Sequence, residues 1–329
     1  MNARDPLSFL RHGQTPFFRL PLDRGDGGDL RDVARGADAV LLGVPFDGGT
    51  TLHPGARHAP YAVRRQSVLL AGFEPTLGVD VFEELVVRDG GNVALTPFSP
   101  AAMRECVQLE VDAILQAGAA PFVVGGDHSL TLPCLRAAHG RYGPVAVVHV
   151  DAHADVTEDD AWLETHHHGT WLRHALDEGL IADGALVQIG VRGPWKSSAE
   201  VDRVLRAGGV VLTPDQVGAS MTAVSQILRA RCGERPVWLT FDIDGVDPAF
   251  APGTGARVAG GLTAREALSL VRAMSSVRLI GLDLVEVCPA LDTSDVTSLL
   301  AAHLLLTGLA ALACSRHGDR RQRAAATRG

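Results

Sequence analysis

The chain alternates between short apolar runs and longer segments with helical patterning. Six runs are nearly continuous in apolar, β-branched residues: 39–46, 120–126, 144–150, 185–191, 236–241 and 277–285. Runs without strict alternation are typical of strands covered on both faces, as in a parallel sheet. Segment 99–118 begins with a Ser-Pro cap and ends at a glycine, and segment 262–274 begins with the capping-box pair Thr263 and Glu266. Both patterns predict helices. The alternation predicts a three-layer α/β/α sandwich around one mainly parallel sheet.

The pattern predicts a single catalytic domain over residues 1–314, because no linker divides it. Residues 315–329 are polar, arginine-rich and without apolar periodicity, so we expect a disordered tail. The N-terminal residues lack the apolar core of a signal peptide, and no stretch reaches 18 continuous apolar residues. We therefore expect a cytoplasmic protein.

Composition excludes some classes of function. The chain has 329 residues, of which 46% are hydrophobic, and its net charge is −8. An acidic balance argues against nucleic acid or an anionic membrane as partner and suits a small cationic substrate better. Lys196 is the sole lysine, which leaves one poor candidate for lysine-based catalysis. The five cysteines form no CxxC pair, so we expect reduced, structural thiols.

Polar residues with possible chemistry follow four of the apolar runs. Ligands of open parallel sheets bind beyond the carboxyl ends of the strands. At those positions the sequence places carboxylates and imidazoles: Asp127 and His128; Asp151, His153 and Asp155; Asp242, Asp244 and Asp247; and Glu286. Several carboxylates at one sheet edge would repel each other, and a multivalent cation is the simplest resolution.

Each piece alone has an ordinary explanation. Asp127 and Asp247 are as readily helix caps as ligands, and an isolated His128 would more often be a hydrogen-bonded structural histidine. The conjunction of GGDHS, DAHAD and DIDGVDP favours a metal site. Oxygen and imidazole ligands without thiolate favour manganese, with iron, cobalt, nickel or zinc as alternatives. Six ligand side chains suit two ions that share bridging carboxylates and acidify a water to hydroxide.

The motifs GVPFDGGTTLHPGARHAPYAVR, GGDHSL, VVHVDAHAD, HHHGTWLRHA and FDIDGVDPAFAPGTG are collinear over nearly the whole chain. In this order they resemble the ureohydrolase family of arginase, agmatinase and related guanidino-acid hydrolases. The resemblance implies an arginase-like fold, two Mn²⁺ ions and a homotrimer or homohexamer. It further implies hydrolysis of a small guanidino substrate to urea and an amine.

The resemblance also implies roles for individual residues. One manganese would be held by His128, Asp151, Asp155 and Asp242, and the other by Asp151, His153, Asp242 and Asp244. Asp151 and Asp242 would then bridge the ions, and Asp155 would also orient the hydroxide that attacks the guanidinium carbon. Glu286 would receive the guanidinium through paired hydrogen bonds, and His168 would contact substrate or protonate the departing amine. His166 and His167 are expected to be loop residues.

The substrate is less well specified. The stretch after DAHAD lacks the asparagine and serine with which arginase-like members grip an amino acid, so arginine is disfavoured. HGTWLRHALDEGLI is closer to agmatinase, guanidinobutyrase, guanidinopropionase and proclavaminate amidinohydrolase. The divergent loop 256–261 contains Arg257, which either meets a substrate carboxylate or faces solvent. Trp162 and the acidic residues Glu158, Asp159, Asp160 and Glu164 either line an entrance for a cation or form an ordinary exposed loop.

We therefore predict an agmatinase-like amidinohydrolase that converts agmatine to putrescine and urea. A guanidino-acid or specialised-metabolite amidinohydrolase is the close alternative. A deacetylase of the related fold, or a non-catalytic family member, remains less favoured.

Overall fold

The computed structural model describes residues 15–21, 28–158, 164–193 and 197–326, with side chains described as far as residue 316. Its centre is an eight-stranded sheet in the order β4-β1-β5-β10-β9-β6-β7-β8, in which every neighbouring pair is parallel. The strands are β1 Ala39–Gly43, β4 Val87–Asn92, β5 Ala120–Val124, β6 Val145–Val150, β7 Ile181–Ile189, β8 Val210–Leu212, β9 Pro236–Asp242 and β10 Arg278–Val285. A small antiparallel pair, β2 Phe73–Glu74 and β3 Val79–Asp80, lies outside this sheet.

Helices cover both faces of the sheet. The α-helices in the described residues are α1 Leu30–Ala34, α2 Ala59–Ser67, α3 Val81–Glu84, α4 Pro100–Gln116, α5 Thr131–Tyr142, α6 Trp171–Asp177, α7 Ala199–Arg206, α8 Pro214–Ala219, α9 Met221–Cys232, α10 Ala264–Ala273 and α11 Val296–Ala326. The two helices foreseen in the sequence are α4 and α10. Ser99 caps α4 by accepting from the Ala102 amide, and Thr263 and Glu266 form the capping box of α10.

The core lies in two layers, one on each side of the sheet. Successive residues of a strand point to opposite faces, so Leu41 packs in one layer and Leu42 in the other. All five residues of β1 and of β5 are buried, as continuous apolar runs require in a central parallel strand. The three-layer α/β/α fold with a mainly parallel sheet is therefore confirmed. All five cysteines are free.

Strand β4 was not foreseen, because its sequence VRDGGN is polar. Its Asp89 is fully buried and pairs with Arg64 of α2 over 3.1 Å between Nη2 and Oδ1. The Phe17 amide donates to the other carboxylate oxygen of Asp89 over 2.8 Å. These partners compensate the buried charge and allow a polar segment to lie at the edge of the sheet.

Helix α11 is long and apolar enough, over Thr293–Arg316, to cross a membrane by length and composition. However, 83% of that apolar window is buried inside the domain, where α11 packs on α10, α2 and β10. Its apolarity is therefore accounted for by the core.

The first two residues of the segment predicted to be a disordered tail have partners in the domain. Ser315 donates to the Val277 carbonyl over 2.7 Å, and Arg316 forms an ion pair with Asp38. Helix α11 ends at Ala326. The single domain over residues 1–314 and the disordered tail over residues 315–329 stay predictions.

Candidate metal centre

The polar strand ends meet at one edge of the sheet. Strands β5, β10, β9 and β6 are consecutive neighbours, and the residues that follow their carboxyl ends include His128, Glu286, Asp244 and Asp151. Asp242 is the last residue of β9. Parallel strands direct all these ends to the same side, so side chains distant in sequence converge there. All six residues that the resemblance implies as ligands are brought together.

His128 faces the carboxylates of three different residues. Its Nδ1 lies 3.0 Å from Asp151 Oδ2, 3.0 Å from Asp155 Oδ2 and 3.2 Å from Asp242 Oδ2. His128 and Asp151 are almost fully buried, and Asp155 and Asp242 are buried as well. This constellation is one candidate site for a cation.

A second group shares Asp151. The Nδ1 atom of His153 lies 3.2 Å from Asp151 Oδ1 and 3.0 Å from Asp244 Oδ2. One oxygen of Asp151 thus faces His128 and the other faces His153. The arrangement suits a carboxylate that bridges two ions.

One atom tests whether the residues fit a metal. His128 Nδ1 is buried and has no hydrogen-bond partner of acceptable geometry within the described residues. The atoms around it are carboxylate oxygens, which can only accept when ionised. A cation would stabilise a buried imidazole nitrogen that is surrounded by carboxylate oxygens. The donor set of nitrogen and oxygen suits a divalent ion of hard or borderline character. The residues therefore fit a metal.

The pKa values reflect the crowding of charge. Burial and the neighbouring Asp244 and Asp151 charges raise the pKa of Asp242 well above its ordinary value. Burial and the charge of Asp151 raise the pKa of Asp244 to about 6. Burial opposes ionisation of Asp151 too, but the close contacts of its carboxylate with His128, His149 and His153 outweigh burial and hold its pKa well below the usual range. A bound cation would lower the pKa values of these crowded carboxylates and stabilise their ionised forms.

Three positioning residues escaped the sequence analysis. His149, inside β6, contacts Asp151 Oδ2 through Nε2 over 2.8 Å, while its Nδ1 accepts from the Gln188 amide over 2.9 Å. Trp171 donates from Nε1 to Asp155 Oδ2 over 2.6 Å. A polar residue within an otherwise apolar run was the available signal for His149 and Gln188.

Glu286 and His168 form a pair beside the metal ligands. Oε1 of Glu286 accepts from the His128 amide over 2.9 Å and lies 2.9 Å from His168 Nδ1. The other ring nitrogen of His168 lies 2.9 Å from Thr51 Oγ1. Burial lowers the pKa of His168, but the charge and hydrogen bond of Glu286 outweigh it and raise the pKa to about 9. The His168 ring is therefore protonated on both nitrogens, and positively charged, near neutral pH.

Two residues of the site have left-handed backbones. Asp155 has φ of 53° and Glu286 has φ of 63°. Such values are costly for residues other than glycine, and they persist where the surrounding structure over-determines them, often at functional sites. At these two positions the chain turns sharply so that the carboxylates face the cluster.

A cavity of about 230 Å³ opens onto these groups. It is lined by ligand candidates, by Glu286 and His168, and by Thr51, Thr157, Gly169, Glu200 and Ala256. The volume fits a small molecule, and its wall is rich in carboxylates. Thr157 donates from Oγ1 to Glu200 Oε1 over 3.4 Å.

Other residues considered in the sequence have structural partners. Asp127 caps the short helix at 128–130 by accepting from the Ser129 amide, and burial followed by the Glu286 charge raises its pKa to about 6. Asp247 accepts from the amides of Ala249, Gly260 and Gly261.

The remaining candidates within the described residues lie in loops, where His167 is buried. His167 caps the short helix at 168–170, and the ring of His166 stacks on that of His174. Arg257 is exposed and donates to the Pro252 carbonyl. Glu158 pairs with Arg203. Asp159, Asp160, Trp162 and Lys196 lie outside the described residues.

Comparison with known proteins agrees with this geometry. The arginase family matches residues 37–310. The chain is 41% identical to proclavaminate amidinohydrolase of Streptomyces clavuligerus over 89% of its length and 92% of the relative. It is 41% identical to guanidinobutyrase of Pseudomonas aeruginosa over 84% and 86%, and 39% identical to the mitochondrial agmatinase of Gallus gallus over 86% and 83%.

A solved structure supports the same relationship. The structure of the Streptomyces clavuligerus proclavaminate amidinohydrolase superposes with a TM-score of 0.85 at 40% identity, covering 93% of this chain and 99% of that one. The chain belongs to the arginase family, as its motifs predicted. It is a hydrolase of the class that acts on carbon–nitrogen bonds.

Proposed function

We propose that this protein is a binuclear-metal amidinohydrolase that converts a guanidino compound to urea and an amine, with agmatine as the preferred substrate. The observation that carries the proposal is the joint placement of two histidine–carboxylate groups and Glu286 around one cavity. A carboxylate accepts hydrogen bonds from a planar guanidinium, and a metal centre beside it supplies the hydroxide that attacks the guanidinium carbon.

We propose six of these residues as the ligands of two ions, with manganese as our first choice. His128, Asp151, Asp155 and Asp242 would hold one, and Asp151, His153, Asp242 and Asp244 the other. When bound, such a pair of ions acidifies water and polarises the bond under attack.

The protein's own groups bind and orient the substrate. The Glu286 carboxylate accepts hydrogen bonds from the guanidinium and turns its carbon toward the ligand cluster. Protonated His168, held by Glu286 and Thr51, donates its proton to the amine nitrogen as the carbon–nitrogen bond breaks. Trp171 and the Ala152 amide hold Asp155 and Asp244 in place.

The cavity wall supports a cationic substrate tail. Glu200 lies on this wall and is the lining carboxylate, among the described residues, that we assign neither to a metal ion nor to the guanidinium; the described lining residues include neither arginine nor lysine. The free amine of agmatine is protonated at neutral pH and would be attracted there, whereas a carboxylate tail would be repelled. Arg257, the residue considered as a partner for a substrate carboxylate, is not among the lining residues.

A guanidino-acid hydrolase is the second candidate. Proclavaminate amidinohydrolase and guanidinobutyrase are each 41% identical to this chain, and the agmatinase of Gallus gallus is 39% identical. A substrate with a carboxylate tail would then need a cation from outside the described lining residues.

A substrate panel tests the proposal. Urea release is measured with agmatine, 4-guanidinobutanoate, 3-guanidinopropanoate and arginine, with Mn²⁺ supplied. We expect agmatine to give the highest kcat/KM. Faster hydrolysis of 4-guanidinobutanoate would establish the second candidate, and a preference for arginine would contradict both.

Glu200→Gln probes the tail directly. Removing this charge should lower the preference for agmatine over 4-guanidinobutanoate roughly fivefold, which is the effect of about 1 kcal/mol for a partly exposed pair. Asp202→Asn is the matched control, because Asp202 lies on the same helix but does not line the cavity. Equal selectivity in the wild type and Glu200→Gln would exclude Glu200 as the partner of the substrate's amine.

Two further classes make different predictions. A deacetylase would release acetate from an acetylated polyamine and no urea, and a non-catalytic member would bind fewer than two metals per chain. We also propose a cytoplasmic homotrimer or homohexamer without nucleic-acid or membrane partners, which sedimentation and fractionation would test.

A further inference from the structure

A fully buried carboxylate lies behind the ligand cluster. Asp283 is in the middle of β10, and both its oxygens accept from neighbouring side chains. Trp238 Nε1 donates to Oδ2 over 2.6 Å, and the hydroxyls of Thr240 and Thr131 donate to Oδ1 over 2.6 and 3.0 Å. Asp283 is not among the described residues that line the cavity. Its carboxylate therefore does not contact a ligand in that cavity, and its burial has another cause.

The direction of these hydrogen bonds can be deduced. Thr240 has one hydroxyl hydrogen, and the short contact to Asp283 uses it. Towards His128 Nε2, which lies 2.8 Å away, Thr240 can therefore only accept. Nε2 must carry a hydrogen, and the lone pair of the neutral ring is left on Nδ1, the atom that faces the carboxylates of the metal centre.

We propose that Asp283, acting through Thr240, is a positioning residue that sets the tautomer of His128 so that Nδ1 is available to a metal ion. The inference rests on the proposed metal centre. Hydrogen-bond partners behind a metal-binding histidine fix its tautomer and orientation, and their loss typically weakens metal binding about 10–100-fold.

Trp238 makes the direction of this relay testable. An indole N–H can only donate, so in Asp283→Asn the new amide must turn its oxygen to Trp238 and its NH₂ group to Thr240. Thr240 then accepts from the amide and donates to His128 Nε2. That moves the histidine hydrogen to Nδ1 and removes the lone pair from the metal site. In Asp283→Asn combined with Trp238→Phe, the amide is free to turn over and restore the original direction.

The experiment titrates Mn²⁺ into metal-free protein by calorimetry and records the melting temperature of each variant. The wild type should bind two ions. Asp283→Asn should bind one of them about 10–100-fold more weakly. The double variant should recover most of that affinity, although it carries one more core substitution, and Trp238→Phe alone should stay close to the wild type.

The outcomes separate the relay from simple damage to the core. Equal weakening in Asp283→Asn and the double variant, or unchanged binding in Asp283→Asn, would overturn the relay while leaving the proposed function intact. A wild type that fails to bind two ions would overturn both. If the Trp238 variants do not fold, Thr240 provides the test: Thr240→Ser should bind as the wild type does, and Thr240→Val should lose affinity as Asp283→Asn does. Equal binding by these two variants would also overturn the relay.

Discussion

Replacement of His168 separates proton delivery from metal binding. His168 contacts Glu286 and Thr51, and the contacts described for it include none of the six proposed metal ligands. We therefore expect His168→Asn to keep both metals and lose turnover. The asparagine amide can still donate to Glu286, so the substrate-binding carboxylate stays in place while the titratable group is removed.

The size of the effect follows from the state of the ring. With its pKa raised to about 9, His168 is mostly protonated at pH 7.5, whereas an imidazole of ordinary pKa would be mostly neutral. The acid proposed here is thus in its proton-donating form at neutral pH, and removal of a general acid costs about 10²–10⁴ in rate. In the wild type kcat/KM, which reports the free enzyme, should hold steady up to pH 9 and fall above it as the proton is lost.

The assay combines urea release between pH 6 and pH 10 with metal analysis of the same samples. Thr51→Ser, which keeps the hydroxyl that contacts His168, serves as the control and should retain the alkaline limb. A His168→Asn enzyme with wild-type kcat would refute proton delivery by this residue. Loss of a metal from His168→Asn would refute its separation from the ligand cluster.

Three other predictions test the metal centre and the fold. Asp151→Ala and Asp242→Ala should each lose both metals, because each is proposed to bridge the two ions; two fully occupied sites in either variant, measured by elemental analysis, would contradict the bridging assignment. Metal loading at pH 7.5 should release at least two protons, because contacts with carboxylates raise the pKa of both cluster histidines despite their burial, and ligands must be deprotonated to bind. Affinity should therefore fall as the pH is lowered, and calorimetry in buffers of different ionisation enthalpy counts the protons; no release would refute the assignment. Arg64→Met should cost about 3–5 kcal/mol in urea unfolding, because Asp89 stays buried without its cation, whereas the exposed Arg35→Met should cost little; equal effects would contradict the role of burial.

The central strands were predictable because a strand that is buried on both faces consists of a continuous run of apolar residues. β1, β5, β6, β9 and β10 begin within one residue of the predicted runs. Strand β4 was not predicted because its buried charge is compensated by a residue distant in sequence. The Asp89 carboxylate pairs with Arg64, 25 residues away. A polar strand with a remote counter-charge leaves no local signal. β8, with three residues, is too short to give a pattern.

The convergence of the six proposed ligand residues was predictable for a related reason. They follow strand ends, where a parallel sheet brings its chemistry together. The groups that orient them were not, because His149, Thr240 and Asp283 lie within strands and were counted only as parts of apolar runs. Their hydrogen bonds join residues from β6, β9 and β10 and from the adjacent helices. His149 is two residues from Asp151, but only the tertiary structure brings Thr240 to His128 and Thr131 to Asp283.

The strand order has a consequence for how the protein is made. β10 is the last strand in the chain, yet it lies between β5 and β9 and joins the two halves of the sheet. His128 belongs to the half synthesised first along that edge, Asp151, His153, Asp242 and Asp244 belong to the other half, and Glu286 follows β10 itself. On the ribosome, therefore, a nascent chain can complete neither its hydrophobic centre nor the proposed ion site that includes His128 until residues 278–286 have emerged. The ligands proposed for the other ion all come from the second half, where β6 and β9 pair directly, so an ion at the His128 site is the one whose retention would report that both halves have been joined.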